Sequence, residues 1–241
     1  MPKMLKRLWD LSEYRVCADG GANRLYECTV GGLVFGDNNG VVNNDCKKST
    51  SLSFNPDIIM GDLDSISCEV QEYYKRFGIP IVKDANQDNS DLEKCVDHIL
   101  AIHKAKQQST TSNNTTNKFP NLLIYGSFGG RLDQSMSQIH CLFTYNENFK
   151  KCLVTSETSL CFLLSPSTNN VIEVNRDVEG TTCGLIPVNG KTKITTSGLK
   201  WDVDGVTGFG GLVSTSNKVE AGDGIVTVKC DNYILWTTAL L

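Results

Sequence analysis

Hydrophobic periodicity changes once along this 241-residue chain, near Asn148, and the change imposes two architectures in succession. Up to about residue 145, short apolar runs alternate with helical stripes. YRVCAD (14–19), PDIIMGD (56–62), IPIVKD (79–84) and NLLIYGS (121–127) read as strands. ANRLYECTV (22–30), CEVQEYYKRFG (68–78), SDLEKCVDHILAIHKAK (90–106) and DQSMSQIHCLFTY (133–145) read as helices. In the third of these helices Ser90 and Glu93 have capping-box spacing, and Leu92, Val96, Ile99, Leu100 and His103 form one stripe. Such alternation predicts βαβ units and a mainly parallel sheet with flanking helices. After residue 150 the runs are short, rich in β-branched residues and separated by Gly, Pro, Asn and Asp, with no helical stripe. That pattern predicts an antiparallel sandwich or barrel. The expected domains are therefore 1–148 and 149–241. Two inserts, 31–54 and 104–119, are rich in Gly, Asn, Ser and Thr and read as surface loops.

Charge and cysteine usage exclude several functions. The net charge is −4, from 27 acids against 23 bases. An acidic chain lacks the broad basic face that nucleic-acid binding uses, so no nucleic-acid partner is expected. No apolar run approaches membrane-spanning length, so no membrane partner is expected either. The N-terminal MPKMLKRLWD is basic but has no apolar segment behind it, which argues against a secretory signal. The ten cysteines contain no Cys-x-x-Cys pair and there are only three histidines, so a structural zinc site is not expected. Reduced thiols and a cytoplasmic location follow, with Cys17, Cys95, Cys141 and Cys161 as small core residues.

The chemistry gathers at the carboxyl ends of the four strands, where parallel α/β sheets bind ligands. The first strand ends in Asp19-Gly20-Gly21, the second in Gly61-Asp62-Leu63-Asp64, and the third leads to Asp84, Gln87, Asp88 and Asp91. The fourth runs into Gly129-Gly130-Arg131-Leu132-Asp133. A single Asp at a strand end is an ordinary cap or turn residue. Acids at four ends of one edge repel one another, and a divalent cation resolves that repulsion. Carboxylate oxygens without Cys or His suit Mg²⁺. Paired glycines before a helix let backbone N–H groups approach an anion, and Arg131 has the fork to grip a phosphate, although a surface ion pair explains it equally well. There is no G-x-G-x-x-G after a strand, so a dinucleotide fingerprint is absent. In the β-rich half, Trp201 lies beside turn residues in GLKWD and suits stacking on an aromatic ligand, although a buried core Trp is the commoner case. The polar run Ser214-Thr215-Ser216-Asn217 offers donors and acceptors to a heteroaromatic edge.

CADGGANRLYE, PDIIMGDLDSI, QDNSDLEKC and GGRLDQ, followed by GLIPV, TTSGLKWD and LVSTSN, together resemble the eukaryotic thiamine pyrophosphokinase family in order and spacing. The resemblance covers most of residues 16–239, and the inserts fall between its motifs. It implies a Rossmann-like α/β nucleotide domain followed by a β-sandwich of jelly-roll-like kind. It also implies a homodimer with active sites between subunits, and transfer of the pyrophosphoryl group of ATP to thiamine, giving thiamine diphosphate and AMP. By motif position it implies Asp62, Asp64 and Asp91 as catalytic and Mg²⁺-binding acids, with Asp133 as a further catalytic acid. Asp19, Gly20, Gly21, Gln87, Gly129, Gly130 and Arg131 would line the ATP and phosphate region. Trp201 would stack on the thiamine pyrimidine, with Ser216 and Asn217 near its edge. The family pattern has a further apolar strand before the CADGG block, whereas only 16 residues precede Cys17 here, so a sheet lacking that strand is expected. Two rival functions use the same acids: a metal-dependent nucleoside polyphosphate hydrolase, and a non-catalytic thiamine- or nucleotide-binding protein.

Overall fold

Parallel pairing of the first three strands follows the alternating half of the sequence closely. The structure, a computed structural model, describes residues 2–29, 54–109, 120–166, 168–220 and 222–241. The chain splits into two compact units, Met1–Thr115 and Thr116–Leu241. In the first unit, β1 (Val16–Ala18), β2 (Ile58–Gly61) and β3 (Ile81–Lys83) form a parallel sheet in the order β1-β2-β3. Every residue of β2 is buried, as a central strand covered on both faces requires. Helix α1 (Lys3–Leu11) precedes the sheet, and α2 (Gly21–Thr29), α3 (Cys68–Arg76) and α4 (Asp91–Ser109) follow its three strands in turn.

Helix α4 packs on β1 and β2. Its capping box forms as the spacing predicts. The Ser90 N–H and hydroxyl donate to Glu93 Oε2 at 2.9 and 2.7 Å, and the Glu93 N–H donates back to Ser90 Oγ at 3.3 Å. Val96 and Leu100 of the expected stripe are buried, and Lys94 and Cys95 are buried beside them. The helix runs three residues past Lys106 into the second insert. Residues 31–53 and 110–119, most of the two expected loops, lie outside the described residues.

The fourth strand departs from expectation. The alternation places β4 (Asn121–Tyr125) in the same sheet as β1–β3; instead it pairs in parallel with β5 (Lys151–Thr155). Helix α5 (Leu132–Tyr145) is the crossover between them and packs on β5. Both strands belong to the second unit's six-stranded sheet, ordered β11-β8-β13-β6-β5-β4. The other members are β6 (Ser159–Leu164), β8 (Glu179–Ile186), β11 (Ser214–Lys218) and β13 (Ile234–Leu240). The period change near residue 148 hides this join, because β5 reads as the first of the β-rich runs while its partner reads as the last of the α/β strands.

A second sheet in this unit, ordered β10-β9-β12-β7, is wholly antiparallel. It contains β7 (Asn170–Glu173), β9 (Thr192–Ser197), β10 (Asp204–Thr207) and β12 (Ile225–Cys230). Burial alternates strictly along β9, with Thr192, Ile194 and Thr196 inward. Ile194, Val226 and Val228 of this sheet join Leu185, Ile234 and Trp236 of the six-stranded sheet in one hydrophobic cluster. The two sheets thus share a core, as stacked layers do. Cys95, Cys141 and Cys161 are buried as expected, Cys17 is half-buried, and all the described cysteines are free thiols.

Trp236 is fully buried, so Trp236→Ala is expected to cost about 3–5 kcal/mol. Ser90→Ala, which removes only the cap, is expected to cost about 1 kcal/mol. Urea denaturation of the two variants checks both values.

Candidate active site

The carboxylate that ends β1 organises the loop that follows β2. The Asp19 N–H donates to the Met60 carbonyl at 2.9 Å, which continues the β1–β2 ladder by one rung. Its side chain is buried, and its two oxygens accept the N–H groups of Ser65 at 2.9 Å and Ile66 at 3.0 Å. Asn23, on the first turn of α2, grips the same loop. Its Nδ2 donates to the Ser65 carbonyl at 2.8 Å, and its Oδ1 accepts the Ser67 N–H at 3.0 Å. Burial pushes the Asp19 carboxyl above its usual range, the two N–H bonds pull it down, and the charges of Asp91 and Asp62 push it up again, for a net rise.

Held in this way, the loop is bent sharply. Leu63 adopts φ +63°, a left-handed conformation that costs a side-chain-bearing residue about 1–2 kcal/mol. The Asp64 N–H donates to Asp62 Oδ1 at 3.2 Å, and the Ser65 hydroxyl donates to Asp64 Oδ1 at 2.7 Å. Gly61, just before the loop, has φ +154°, and a Cβ there would lie 2.7 Å from Asp19 Cβ and 3.0 Å from Asp91 Cγ. Glycine therefore lets β2 pass directly beneath two carboxylates. In consequence, carboxylate oxygens of Asp19, Asp62 and Asp64 lie within 4.8 Å of one another. Asp91 opens α4, and its Oδ1 accepts both the Asp62 N–H at 3.1 Å and the Lys94 ammonium at 2.9 Å. Burial pulls the Lys94 pKa down, but its hydrogen bond to Asp91 and the charges of Asp91, Asp62 and Asp84 outweigh that and leave it raised.

The donor chemistry of this edge fits a hard divalent cation. It supplies oxygen alone, from several carboxylates that repel one another without a cation. The family resemblance implies Asp62, Asp64 and Asp91 for this part; the oxygens that converge are those of Asp62, Asp64 and Asp19, with Asp91 behind the Asp62 amide. The third strand end is a chain of turns. The Asp84 N–H donates to the Gly61 carbonyl at 2.7 Å, and Asp84 and Asn86 each cap the N–H two residues on at 2.9 Å. Gln87 is exposed within it. At the first strand end, Gly21 begins α2, and a Cβ on Gly20 would lie 3.2 Å from Ser65 Cβ, so the paired glycines sit tightly against the acidic loop. Acids therefore meet at three strand ends of one sheet rather than four.

The fourth expected end belongs to the second unit. Gly129 and Gly130 have φ +114° and +73°, and Arg131 leads into α5. The guanidinium of Arg131 holds both oxygens of Asp133, its Nε at 3.1 Å from Oδ1. That hydrogen bond holds the exposed Asp133 carboxyl below its usual range. Arg131 is thus paired with Asp133 in this structure, both side chains being exposed.

In the same unit, Trp201 lies in the turn between β9 and β10 and is 52 % exposed. The buried-core alternative belongs to Trp236 instead. The Lys200 ammonium sits 4.8 Å from the centre of the Trp201 ring. Trp201, Ser214, Ser216 and Asn217 line an open surface depression of ≈ 260 Å³ with Val213 and Thr215. Ser216 is exposed there. Asn217 is buried and its carboxamide is saturated. Its Oδ1 accepts the N–H groups of Trp201 and Lys218 at 3.3 and 2.8 Å, and its Nδ2 donates to the Trp201 carbonyl at 2.8 Å and to Ser214 Oγ at 3.1 Å. Asn217 thus positions the tryptophan. The turn itself needs Gly198, whose φ is +94° and whose absent Cβ would lie 2.2 Å from the Ile225 carbonyl oxygen.

Spacing misses two residues of this edge. Asn23 is visible only as one letter of GGAN, and Lys94 only as a charge on the buried side of an amphipathic helix. The i,i+3 relation of Lys94 to Asp91 is the signal that identifies it.

The first unit thus brings carboxylates together at a parallel sheet edge, and the second presents an exposed tryptophan in a surface depression. The family model described as "Thiamin pyrophosphokinase, catalytic domain" matches residues 5–154, and "Thiamin pyrophosphokinase, vitamin B1 binding domain" matches 169–235. Thiamine pyrophosphokinase 3 of Oryza sativa subsp. japonica is 37% identical over 100% of this chain and 84% of its own length. Thiamine pyrophosphokinase of Saccharomyces cerevisiae is 32% identical over 88% of this chain and 73% of its own. The crystal structure of yeast thiamin pyrophosphokinase superposes with a TM-score of 0.78 at 28% identity, covering 99% of this chain and 81% of that one. The Candida albicans structure gives 0.72 at 26% identity, covering 98% and 85%. The chain belongs to the thiamine pyrophosphokinase family.

Gly61→Ala places a methyl group between Asp19 and Asp91. It is expected to cost about 1–3 kcal/mol, measured by urea denaturation.

Proposed function

We propose that the protein transfers the pyrophosphoryl group of ATP to the primary hydroxyl of thiamine, releasing AMP and thiamine diphosphate. The observation that carries this is the convergence of Asp19, Asp62 and Asp64 at the edge of a parallel sheet, in a chain of this family. The fold is read more finely as a Rossmann-like unit and a jelly-roll-like sandwich. By function the chain divides into an ATP-binding catalytic region, 1–148, and a thiamine-binding, dimerising region, 149–241; the ranges of the two family models support that division. A homodimer with active sites between subunits and a cytoplasmic location complete the proposal.

Mg²⁺ is the metal proposed, held by Asp62 and Asp64, with Asp91 and Asp19 beside them. When bound it supplies charge neutralisation for the polyphosphate. The chain's own part is positioning. Asp19 and Asn23 hold the loop so that Asp62 and Asp64 meet the triphosphate in one geometry. Gly20, Gly21, Gly129 and Gly130 let the backbone approach phosphate oxygens. Arg131 exchanges its pairing with Asp133 for a phosphate, and Asp133 and Gln87 are the further residues proposed for the nucleotide and phosphate. An aspartate of this edge takes the hydroxyl proton as the oxygen attacks the β-phosphorus and the bond to the α-phosphate oxygen breaks. Trp201, backed by Lys200 and held by Asn217, stacks on the pyrimidine ring, with Ser216 at its edge.

Asp62→Asn and Asp64→Asn are expected to lower kcat by roughly two orders of magnitude or more. Their thermal midpoints should equal or exceed that of the parent, since each change removes repulsion. Parent-like turnover in both variants refutes the assignment. Trp201→Ala is expected to raise the thiamine KM about tenfold, from the loss of roughly 1.4 kcal/mol of stacking, and to leave the ATP KM nearly unchanged. Steady-state kinetics with each substrate varied in turn checks this, and equal effects on both KM values refute the stacking role.

A further inference from the structure

Lys94 stands out in the first unit because its side chain is only 3% exposed while Asp91, its partner, is 29% exposed. A buried ammonium is a poor choice for stability alone, because an apolar side chain of similar volume usually serves the fold as well or better. Its position explains it. Asp91 Oδ1 receives two donors, the Lys94 ammonium from within its own helix and the Asp62 N–H from the loop after β2. Asp91 otherwise faces like charge, since Asp19 lies across Gly61 from it, close enough to feel the charges of both Asp91 and Asp62. Without a cation behind it, the Asp91 carboxylate has reason to swing away from Asp19, and the Asp62 N–H then loses its acceptor.

We propose that Lys94 is a positioning residue for pyrophosphoryl transfer, tying the Asp91 carboxylate to the Asp62 amide and so holding the acidic loop in its reactive arrangement without touching substrate. This rests on the function proposed above. Lys94 works from behind, as a fixed internal counter-charge. The acids therefore face the triphosphate already arranged, and the loop does not reorganise when the nucleotide arrives.

The test is Lys94→Met, which keeps length and apolar volume and removes the charge. In the metal-free, nucleotide-free protein, hydrogen exchange at the Asp62 amide is expected to rise at least about tenfold, while exchange at Ile59 and Met60 within β2 stays at the parent rate. A merely structural lysine would raise exchange across the sheet together. With Mg·ATP and thiamine, kcat is expected to fall at least about tenfold, with both KM values within about threefold of the parent. Asp62 exchange and kcat both within twofold of the parent overturn the proposal. Asp91→Asn/Lys94→Met removes both charges and keeps the site testable where the single variant fails to fold. Because Lys94 acts through Asp91, the double variant should match Asp91→Asn alone in kcat, and a further tenfold loss overturns the proposal. The exchange measurement needs no turnover, so a parent protein that proved inactive would refute the proposed function and still leave Lys94 tested.

Discussion

The two backbone hydrogen bonds accepted by Asp19 hold the acidic edge together. Burying a carboxylate is costly unless it is paired, and here the partners are the N–H groups of Ser65 and Ile66. Spending Asp19 in this way draws the loop after β2 back over the end of β1. Asp62 and Asp64 then have to lie beside it, Leu63 has to turn left-handed, and Gly61 has to be glycine. A fold selected for stability alone would not gather these charges, which is why the arrangement reads as chemistry.

A second anchored element stands in the other unit. Asn217 is to Trp201 what Asp19 is to the acidic loop: a buried polar side chain that holds backbone so that a neighbour is presented. Gly198 makes the turn possible, and Lys200 covers the indole. In both places the residue that faces solvent is fixed by one that does not, which is how a site keeps its geometry before a ligand arrives.

Much of this is legible in the sequence, for local reasons. The capping box at Ser90, the strand ends at Asp19 and Asp62, and the period-two runs after residue 150 are properties of short windows, and the structure follows them. The sheet partner of β4 is not local. The alternation from β1 to β4 is continuous, yet hydrogen bonding assigns β4 to β5, and no window of the sequence distinguishes the two pairings. Asn217 shows the same limit for a site residue: an asparagine in STSN reads as a ligand contact, while its saturation by Trp201, Ser214 and Lys218 appears only in three dimensions. Burial hides Lys94, and it hides that Asp19 is the enclosed member of the acidic edge, since spacing identifies a carboxylate or an ammonium but not which of them the fold encloses.

One reaction tests the central claim most directly. Purified protein, Mg·ATP and thiamine are followed by ³¹P NMR beside a control without thiamine. Pyrophosphoryl transfer predicts AMP and thiamine diphosphate appearing together, in equal amounts and only when thiamine is present. ADP or free phosphate released without thiamine would contradict the account and make the acidic edge that of a hydrolase. No phosphorus chemistry from a folded protein would contradict it as well, and leave a binding protein in its place.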